Sequence, residues 1–317
     1  MKRDPFVWIE KYRPKTIDDC ILPQSTKDIF NEFVKKGQIP NLLLHGTAGI
    51  GKTTVARALC EQLNADYIEI NGSDEGRALD TVRNKIKNFA STVTLFGESD
   101  HKVIIVDEAD NTTSDVQLAL RANIEKFHGN CRFIFTCNYK KKIIEPLHSR
   151  CAVVDFKITG EEKKKLASLF LDRLRFILKA EGIQYDDKVL PQLIIKFFPD
   201  WRRVLNECQL YSVGGVIDSG ILSTLSEVKF GQLTTALKEK RYKSVQKWVS
   251  SNLDNEPSHI FRSIYDNLYK FFDDSDGSIP RVVLILGKYQ DMAVHVADQE
   301  INLMCAFTEI MMECTLK

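Results

Sequence analysis

The chain has 317 residues, of which 44% are hydrophobic and 27% charged, and its 44 basic side chains nearly balance its 43 acidic ones. This length exceeds one ordinary core and predicts two or three domains, while the near-neutral charge excludes a strongly basic protein and leaves only local patches for nucleic acid. The eight cysteines form no C-x-x-C pair and no apolar run approaches 18 residues. We therefore expect reduced thiols, a cytoplasmic location and no membrane contact.

The first half of the chain alternates short apolar strands with helical patterns. The strands are predicted at residues 41–45, 67–70, 102–106, 132–136 and 152–156. Near-continuous apolar strands separated by helices indicate a parallel sheet of five strands that is covered on both faces. We therefore predict an α/β nucleotide-binding domain over residues 1–158.

The second half of the chain has only helical patterns. Helices are predicted at residues 161–181, 187–197 and 200–213. They indicate a small helical domain over residues 159–229. Helical patterns continue to the end of the chain with breaks at 255–257 and 273–280, which predicts a third, all-helical domain over residues 230–317.

The most specific motif is the G-x-x-x-x-G-K-T sequence of Gly46–Thr53, which follows a predicted strand and precedes a predicted helix. In such a P-loop, backbone N–H groups and the helix dipole bind phosphates. Lys52 reaches the β- and γ-phosphates, and the Thr53 hydroxyl is a ligand of Mg²⁺. A glycine-rich turn before a core helix fits this context poorly. The predicted phosphate-binding residues are Gly49, Ile50, Gly51, Lys52, Thr53 and Thr54.

Polar residues follow two further predicted strands. Asp107 and Glu108 end the strand at 102–106, where Asp107 would hold Mg²⁺ and Glu108 would polarise the attacking water. Asp110, two residues later, also fits an acidic turn. Asn138 follows the strand at 132–136 and would orient water or contact the γ-phosphate, although asparagine also caps turns. Both interpretations of Asn138 remain open.

These motifs occur together with several others. The chain contains Trp8-Ile9-Glu10-Lys11-Tyr12-Arg13-Pro14, Asn71-Gly72-Ser73-Asp74 and Ser149-Arg150-Cys151. In this order they resemble the AAA+ ATPases of the clamp-loader family. The segments 198–202 and 215–222 are most similar to bacteriophage members of that family. The resemblance implies an AAA+ P-loop domain, a helical lid and a helical collar that holds an oligomer together.

The resemblance also implies ATP as the nucleotide and assigns roles to further residues. An adenine pocket would be walled by Ile9, Glu10, Lys11, Tyr12 and Ile21. Arg202 would be a second sensor that reaches the γ-phosphate from the lid, with Arg203 as a competing candidate. Arg150 would be an arginine finger that acts on ATP bound to a neighbouring subunit.

The remaining assignments concern partners. By resemblance, Gln117 and Arg121 would couple DNA, the catalytic carboxylate and the neighbouring subunit, unless their helix is simply an exposed amphipathic one. Arg83, Asn84 and Lys87 lie on a predicted helix that would follow the phosphates of template DNA. Leu95 and Phe96 would insert into a ring-shaped clamp, although such loop residues also pack under their own domain.

The expected function is that of an ATPase subunit of a sliding-clamp loader, located in the host cytoplasm if the chain is phage-encoded. Its expected partners are other copies of itself and a non-ATPase subunit in a hetero-pentamer-like ring, the sliding clamp and primer–template DNA. One alternative is another AAA+ machine, such as a branch-migration motor or a helicase loader. A second is a non-catalytic structural subunit, which the intact Lys52, Asp107 and Glu108 disfavour.

Overall fold

A computed structural model describes residues 6–74, 79–92, 102–221, 230–253, 257–293 and 295–317. The chain divides into two compact units, Met1–Leu222 and Ser223–Lys317. The division into three domains at residues 158 and 229 stays a prediction. Within the described ranges, no helix is long and apolar enough to cross a membrane.

The first unit contains the parallel sheet of five strands that the sequence predicts. Its strands are β1 (Leu42–His45), β2 (Tyr67–Asn71), β3 (Lys102–Asp107), β4 (Cys131–Cys137) and β5 (Ala152–Asp155). The spatial order is β2-β3-β4-β1-β5, and all neighbouring pairs are parallel. Because the carboxyl ends of parallel strands meet at one edge, the segments that follow β1, β3 and β4 come together there.

Helices α2 to α5 cover both faces of this sheet. The helices in this part of the chain are α1 (Trp8–Lys11), α2 (Gln24–Lys36), α3 (Lys52–Gln62), α4 (Leu79–Ser91), α5 (Ser114–Lys126) and α6 (Glu145–His148). Leu42 and Leu44 pack in the same apolar cluster as residues of α2 and α3, whereas Leu43 packs with residues of α4 and α5. This alternation explains why the strands are apolar at nearly every position.

The same unit continues with α7 (Gly160–Ala180), α8 (Val189–Phe197) and α9 (Trp201–Tyr211), together with the short parallel pair β6 (Gln184–Tyr185) and β7 (Val216–Ile217). Thr159 and Glu162 form a capping box at the start of α7. Asp200 caps α9 by accepting a hydrogen bond from the backbone N–H of Arg203 at 3.0 Å. This helical region carries the candidate lid residues.

The second unit is helical, as the sequence predicts. Its helices are α10 (Phe230–Lys238), α11 (Tyr242–Ser250), α12 (Pro257–Asp266), α13 (Leu268–Phe271), α14 (Ser278–Met292) and α15 (Gln299–Glu313). One apolar cluster fills its centre, where the rings of Trp248 and Phe307 meet edge to face at 5.8 Å between centroids.

The cysteines are free thiols. All eight lie in the described residues, and six of them are buried. Burial raises the pKa of the Cys137 and Cys151 thiols to about 12, so both are protonated at neutral pH. These thiols behave as small apolar core groups.

Candidate nucleotide-binding site

The P-loop connects β1 to α3 and surrounds the amine of Lys52. Lys52 is buried, and its Nζ donates hydrogen bonds to the carbonyl oxygens of Gly46 and Thr47 and to Oδ1 of Asn138, each at 2.8 Å. Burial lowers the pKa of Lys52 below its ordinary value, while the nearby Asp107 and Asp110 oppose that effect. The lysine and Asn138, predicted from separate motifs, are therefore in direct contact.

Two hydroxyl groups converge on Asp107. Its Oδ1 accepts hydrogen bonds from Oγ1 of Thr53 and Oγ1 of Thr136, both at 2.6 Å. In the part of the chain that the structure describes, no group of three or more His, Cys, Asp or Glu residues could hold a metal ion. Mg²⁺ needs no such cage, because it keeps several waters and is bound through one or two protein oxygens and the substrate phosphates. The Thr53 and Asp107 oxygens fit this ion.

Glu108 directly follows β3 in a left-handed backbone conformation, with φ of 52°. Its Oε2 accepts hydrogen bonds from the Ser73 hydroxyl and from Nδ2 of Asn111, the latter at 3.1 Å. Gly72 lies so close that a Cβ there would meet the Glu108 carbonyl oxygen at 2.3 Å. Only glycine fits this position. Ser73 and Asn111 were missed as site residues, although the pairing of β2 with β3 brings short polar residues after β2 to this carboxylate.

A cavity of about 130 Å³ adjoins the P-loop. The predicted residues that line it are Ile9, Tyr12, Ile21, Gly49, Ile50, Gly51, Lys52, Thr53, Thr54 and Arg202. Glu10 and Lys11 do not line it. Glu10 instead pairs with Arg13, whose hydrogen bond holds the pKa of that carboxyl below its usual value.

Several cavity residues were not predicted. They are Arg13, Pro14, Asp19, Cys20, Leu22, Val55, Phe170, Arg173, Ile177, Trp201 and Leu205. Phe170, Arg173 and Ile177 recur at helical spacing along α7, so they share one face of that helix. Periodicity finds such a face, but it does not tell whether the face meets a core or a cavity.

The segment around α1 is bonded to the lid helices. Lys11 Nζ and the Tyr12 hydroxyl both donate to Oε1 of Glu181, at 2.7 and 2.5 Å. Arg173 Nη2 donates to the carbonyl oxygen of Tyr12 at 3.0 Å. The hydrogen bond from Lys11, followed by that from Tyr12, lowers the pKa of Glu181. One wall of the cavity is thereby attached to α7.

The two lid arginines differ in their surroundings. Arg202 lines both the cavity of about 130 Å³ and a neighbouring one of about 50 Å³ that Asp107, Glu108 and Asn138 also line. Arg203 turns away, with its guanidinium over the Phe197 ring at 4.5 Å and its Nε 3.8 Å from Glu207. The geometry therefore favours Arg202 as the residue that faces phosphates.

Asp200, at the start of α9, lies directly against the P-loop. A Cβ at Gly49, where φ is +71°, would be 1.8 Å from Oδ1 of Asp200. Glycine is thus required at Gly49 both for its backbone conformation and for this close approach. The lid and the P-loop are in contact at this point.

Arg150 is absent from the lining of both cavities at the P-loop. Its Nε and Nη2 donate to Oε1 of Glu125 at 2.9 and 2.5 Å, and its Nη1 donates to the carbonyl oxygen of Pro146 at 3.0 Å. The hydrogen bond from Arg150 lowers the pKa of Glu125. These contacts do not fit a role for Arg150 at the phosphates of a nucleotide bound to its own chain.

Gln117 on α5 is buried, with 2% of its surface exposed. Its Oε1 accepts from the backbone N–H of Ile144 at 2.8 Å, and its Nε2 donates to the carbonyl oxygen of Lys142 at 3.1 Å. Gln117 therefore lies on the buried face of α5, and both interpretations of this helix stay predictions. Arg121 is half-buried, and its buried Nε has no hydrogen-bond partner within the described ranges.

The predicted DNA-contacting residues Arg83, Asn84 and Lys87 are exposed on α4. Lys85 differs, because its Nζ donates to the carbonyl oxygen of Glu69 at 2.9 Å. The proposed clamp contacts Leu95 and Phe96 lie outside the described residues.

Comparison with known proteins agrees with this geometry. Residues 42–158 match the model of the ATPase family associated with various cellular activities (AAA). Residues 162–223 match the AAA+ ATPase lid domain of sliding-clamp-loader large subunits. The P-loop, the acidic end of β3 and the helical lid thus define an AAA+ ATPase.

Relatives that match most of the chain narrow the class of protein further. The chain is 36% identical to the sliding-clamp-loader large subunit of Enterobacteria phage T4, over 97% of this chain and 96% of that protein. It is 40% identical to the large subunit of Escherichia phage RB69 over 75% of each chain. The replication factor C small subunit of Thermofilum pendens is 33% identical over 96% of both chains. The chain belongs to the family of sliding-clamp-loader large subunits.

Proposed function

We propose that the chain is the ATPase subunit of a sliding-clamp loader. In this function, ATP binding opens a ring-shaped processivity clamp, and DNA-stimulated hydrolysis releases the clamp closed on primer–template DNA. The observation that carries the proposal is the bonded set at the sheet edge, where Lys52 meets Asn138 and Thr53 meets Asp107 beside Glu108. The phage relatives suggest the host cytoplasm as the place of action.

The residues of this edge have distinct roles in the proposed reaction. Lys52 and the P-loop N–H groups bind the phosphates, and Arg202 contacts the γ-phosphate from the lid. Thr53 and Asp107 would hold Mg²⁺, which would neutralise charge on the phosphates when bound. Glu108 accepts a proton from the attacking water once its carboxylate leaves Ser73 and Asn111. Asn138 orients that water or the γ-phosphate.

The proposed active site is composite. Arg150 pairs with Glu125 and lines neither cavity at its own P-loop, which agrees with the role that the resemblance implies, at the site of a neighbouring copy. Such a finger stabilises the charge of the transferring phosphoryl group. The complete loader would contain other copies of this chain and a non-ATPase subunit in a hetero-pentamer-like ring. The chain alone is then a slow ATPase.

DNA and clamp contacts are proposed from the other predicted residues. The exposed side chains Arg83, Asn84 and Lys87 of α4 would contact DNA phosphates without reading the sequence. Leu95 and Phe96 would contact the clamp. Gln117 ties α5 to the segment at 142–144, so movement of α5 would reach that segment, and Arg121 lies on the same helix.

ATP turnover tests the proposal. It is measured for the chain alone and with its non-ATPase partner, each with and without clamp and primer–template DNA. We expect slow turnover by the chain alone and at least about tenfold stimulation when all components are present. Processive ATP use on DNA without a clamp would favour a branch-migration motor. Absence of turnover in every mixture would indicate a structural subunit.

A further inference from the structure

Asp110 is a buried carboxylate between the two functional strand ends. It lies in the turn after β3, two residues beyond Glu108, and only 6% of its surface is exposed. An acidic side chain in a solvated turn would be exposed. A carboxylate taken out of water instead requires hydrogen-bond partners, because burying it alone is costly. Its partners therefore indicate what it does.

Those partners are two consecutive backbone N–H groups after β4, and both bind Oδ2, whereas the buried Oδ1 has no hydrogen-bond partner within the described residues. Oδ2 of Asp110 accepts from the N–H of Asn138 at 3.1 Å and from the N–H of Tyr139 at 2.9 Å. The ladder between β4 and β1 ends at Cys137, so the sheet does not hold these two residues. Asp110 binds the chain where the sheet stops.

Asn138, whose backbone is held in this way, is the residue whose side chain contacts the P-loop lysine. Asn138 accepts from Lys52 Nζ through Oδ1 at 2.8 Å. A second link between the same strands runs through Thr136, whose O–H donates to Asp107 and whose hydroxyl oxygen accepts from the Glu108 N–H at 3.0 Å. The two links join the strand that carries the acidic residues to the strand that carries Asn138.

We propose that Asp110 is a positioning residue for ATP hydrolysis. It holds the backbone of Asn138 so that the side-chain amide keeps its position beside Lys52 and Glu108. This inference rests on the proposed ATPase function, because Asn138 matters only if this edge binds a triphosphate. Small displacements of a positioned group reduce turnover more than binding.

Two substitutions separate geometry from charge. Asp110→Asn keeps an oxygen of the same reach for both N–H groups and removes the charge. Asp110→Glu keeps the charge and moves the carboxylate by one methylene. If Asp110 acts by position, Asp110→Asn keeps kcat within about threefold, whereas Asp110→Glu lowers kcat at least about tenfold with KM within about threefold. Thermal melts followed by circular dichroism check that each variant is folded.

Coupling to Asn138 provides the second measurement. If Asp110 acts through Asn138, Asp110→Glu lowers kcat little further in an Asn138→Ala background, within about threefold. Independent, multiplicative losses would contradict the proposal. The matched control is Asp186→Glu, at an exposed turn of the first unit that lines neither cavity, where the carboxylate accepts the backbone N–H of Lys188 at 2.9 Å. That variant should turn over ATP at the normal rate.

Amide hydrogen exchange of the Asn138 and Tyr139 N–H groups gives a readout that does not depend on ATP. Faster exchange is expected in Asp110→Glu and near-normal exchange in Asp110→Asn. A folded Asp110→Asn variant that loses tenfold or more in kcat overturns the proposal, and so does a fully active Asp110→Glu variant. Wild-type protein and Lys52→Ala, assayed in parallel, report separately on the ATPase function itself.

Discussion

The P-loop edge of the sheet and the surface around Arg150 belong to the same compact unit, but their polar groups are organised differently. At the P-loop edge, functional side chains bond to one another, as in the contacts of Lys52 with Asn138 and of Thr53 with Asp107. At the other surface, Arg150 pairs with Glu125, whose side chain is 51% exposed.

This difference indicates which part of the site one chain assembles by itself. Buried, mutually bonded groups are positioned in advance and do not need a partner. A surface ion pair contributes little to stability. Its arginine can therefore leave the carboxylate for another anion, such as a phosphate of ATP bound to a neighbouring subunit. A single chain is therefore expected to bind ATP, whereas fast hydrolysis is expected to require the assembled complex.

The largest expected effect is that of Arg150→Ala. In the assembled complex it should reduce hydrolysis by about 10³–10⁵-fold, because the charge on the transferring phosphoryl group loses its cation. Nucleotide affinity of the isolated chain should stay nearly normal. DNA-stimulated turnover and calorimetric binding measure the two effects.

Arg175→Ala is the matched control for Arg150→Ala, since Arg175 also pairs with a surface carboxylate, Asp187, at 3.0 Å. This control should be fully active. A normal rate in the Arg150→Ala complex would remove the distinction between the two regions.

Lys52→Ala tests the other region and should act on the isolated chain. Loss of the buried amine is expected to weaken ATP binding by about 10²–10³-fold, because a desolvated charge pair is removed. Calorimetry with a non-hydrolysable ATP analogue measures this loss. The exposed Lys164→Ala serves as control. Normal affinity in Lys52→Ala would show that the bonded edge is not the phosphate site.

Lys87→Ala extends the comparison to the exposed face of α4. Each lysine that contacts a phosphate releases about one counterion, so the slope of log affinity against log salt should fall by about 1. Primer–template binding at several salt concentrations measures this slope. Lys85→Ala is the control on the same helix, because Lys85 is bonded to the Glu69 carbonyl oxygen. Equal slopes for Lys87→Ala and wild type would exclude this face from DNA.

Glu181→Gln should have the smallest effect. The folded-state pKa of Glu181 is lowered, so its pairing with Lys11 and Tyr12 stabilises the protein above the unfolded pKa, near 4.5. This stabilisation is lost as pH falls through the folded pKa. The variant should melt less than about 3 °C below wild type at pH 7, and the gap should close in acid.

Glu32→Gln is the control for this melting experiment, because Glu32 pairs with Lys35 inside a single helix at 3.1 Å. Thermal melts of the three proteins at pH 7 and pH 4 complete the comparison. If the difference in melting temperature between Glu181→Gln and wild type widens in acid, the predicted direction of the pH dependence is wrong.

The sequence predicted the parallel sheet, and the structure brings the residues singled out as a site to one edge of it. Strand, glycine loop and helix follow one another directly around Lys52, and four apolar residues precede Asp107 and Glu108. Both features can therefore be recognised from residues that are neighbours in the sequence. Glu10 and Lys11 were placed at the cavity because they belong to the same short motif as Ile9 and Tyr12. The direction of a side chain depends on its partners, and Glu181 lies 170 residues from Lys11.

By itself, then, the sequence determined the class of fold, the phosphate loop and the acidic strand end, because each is set by neighbouring residues in the chain. Only the tertiary structure decided that Ser73 and Asn111 hold Glu108, that α7 and α9 wall the cavity, and that Asp110 fixes Asn138. These contacts form when parallel strand ends and packed helices bring distant residues together. Patterns of neighbouring residues do not predict contacts between residues that are far apart in the sequence.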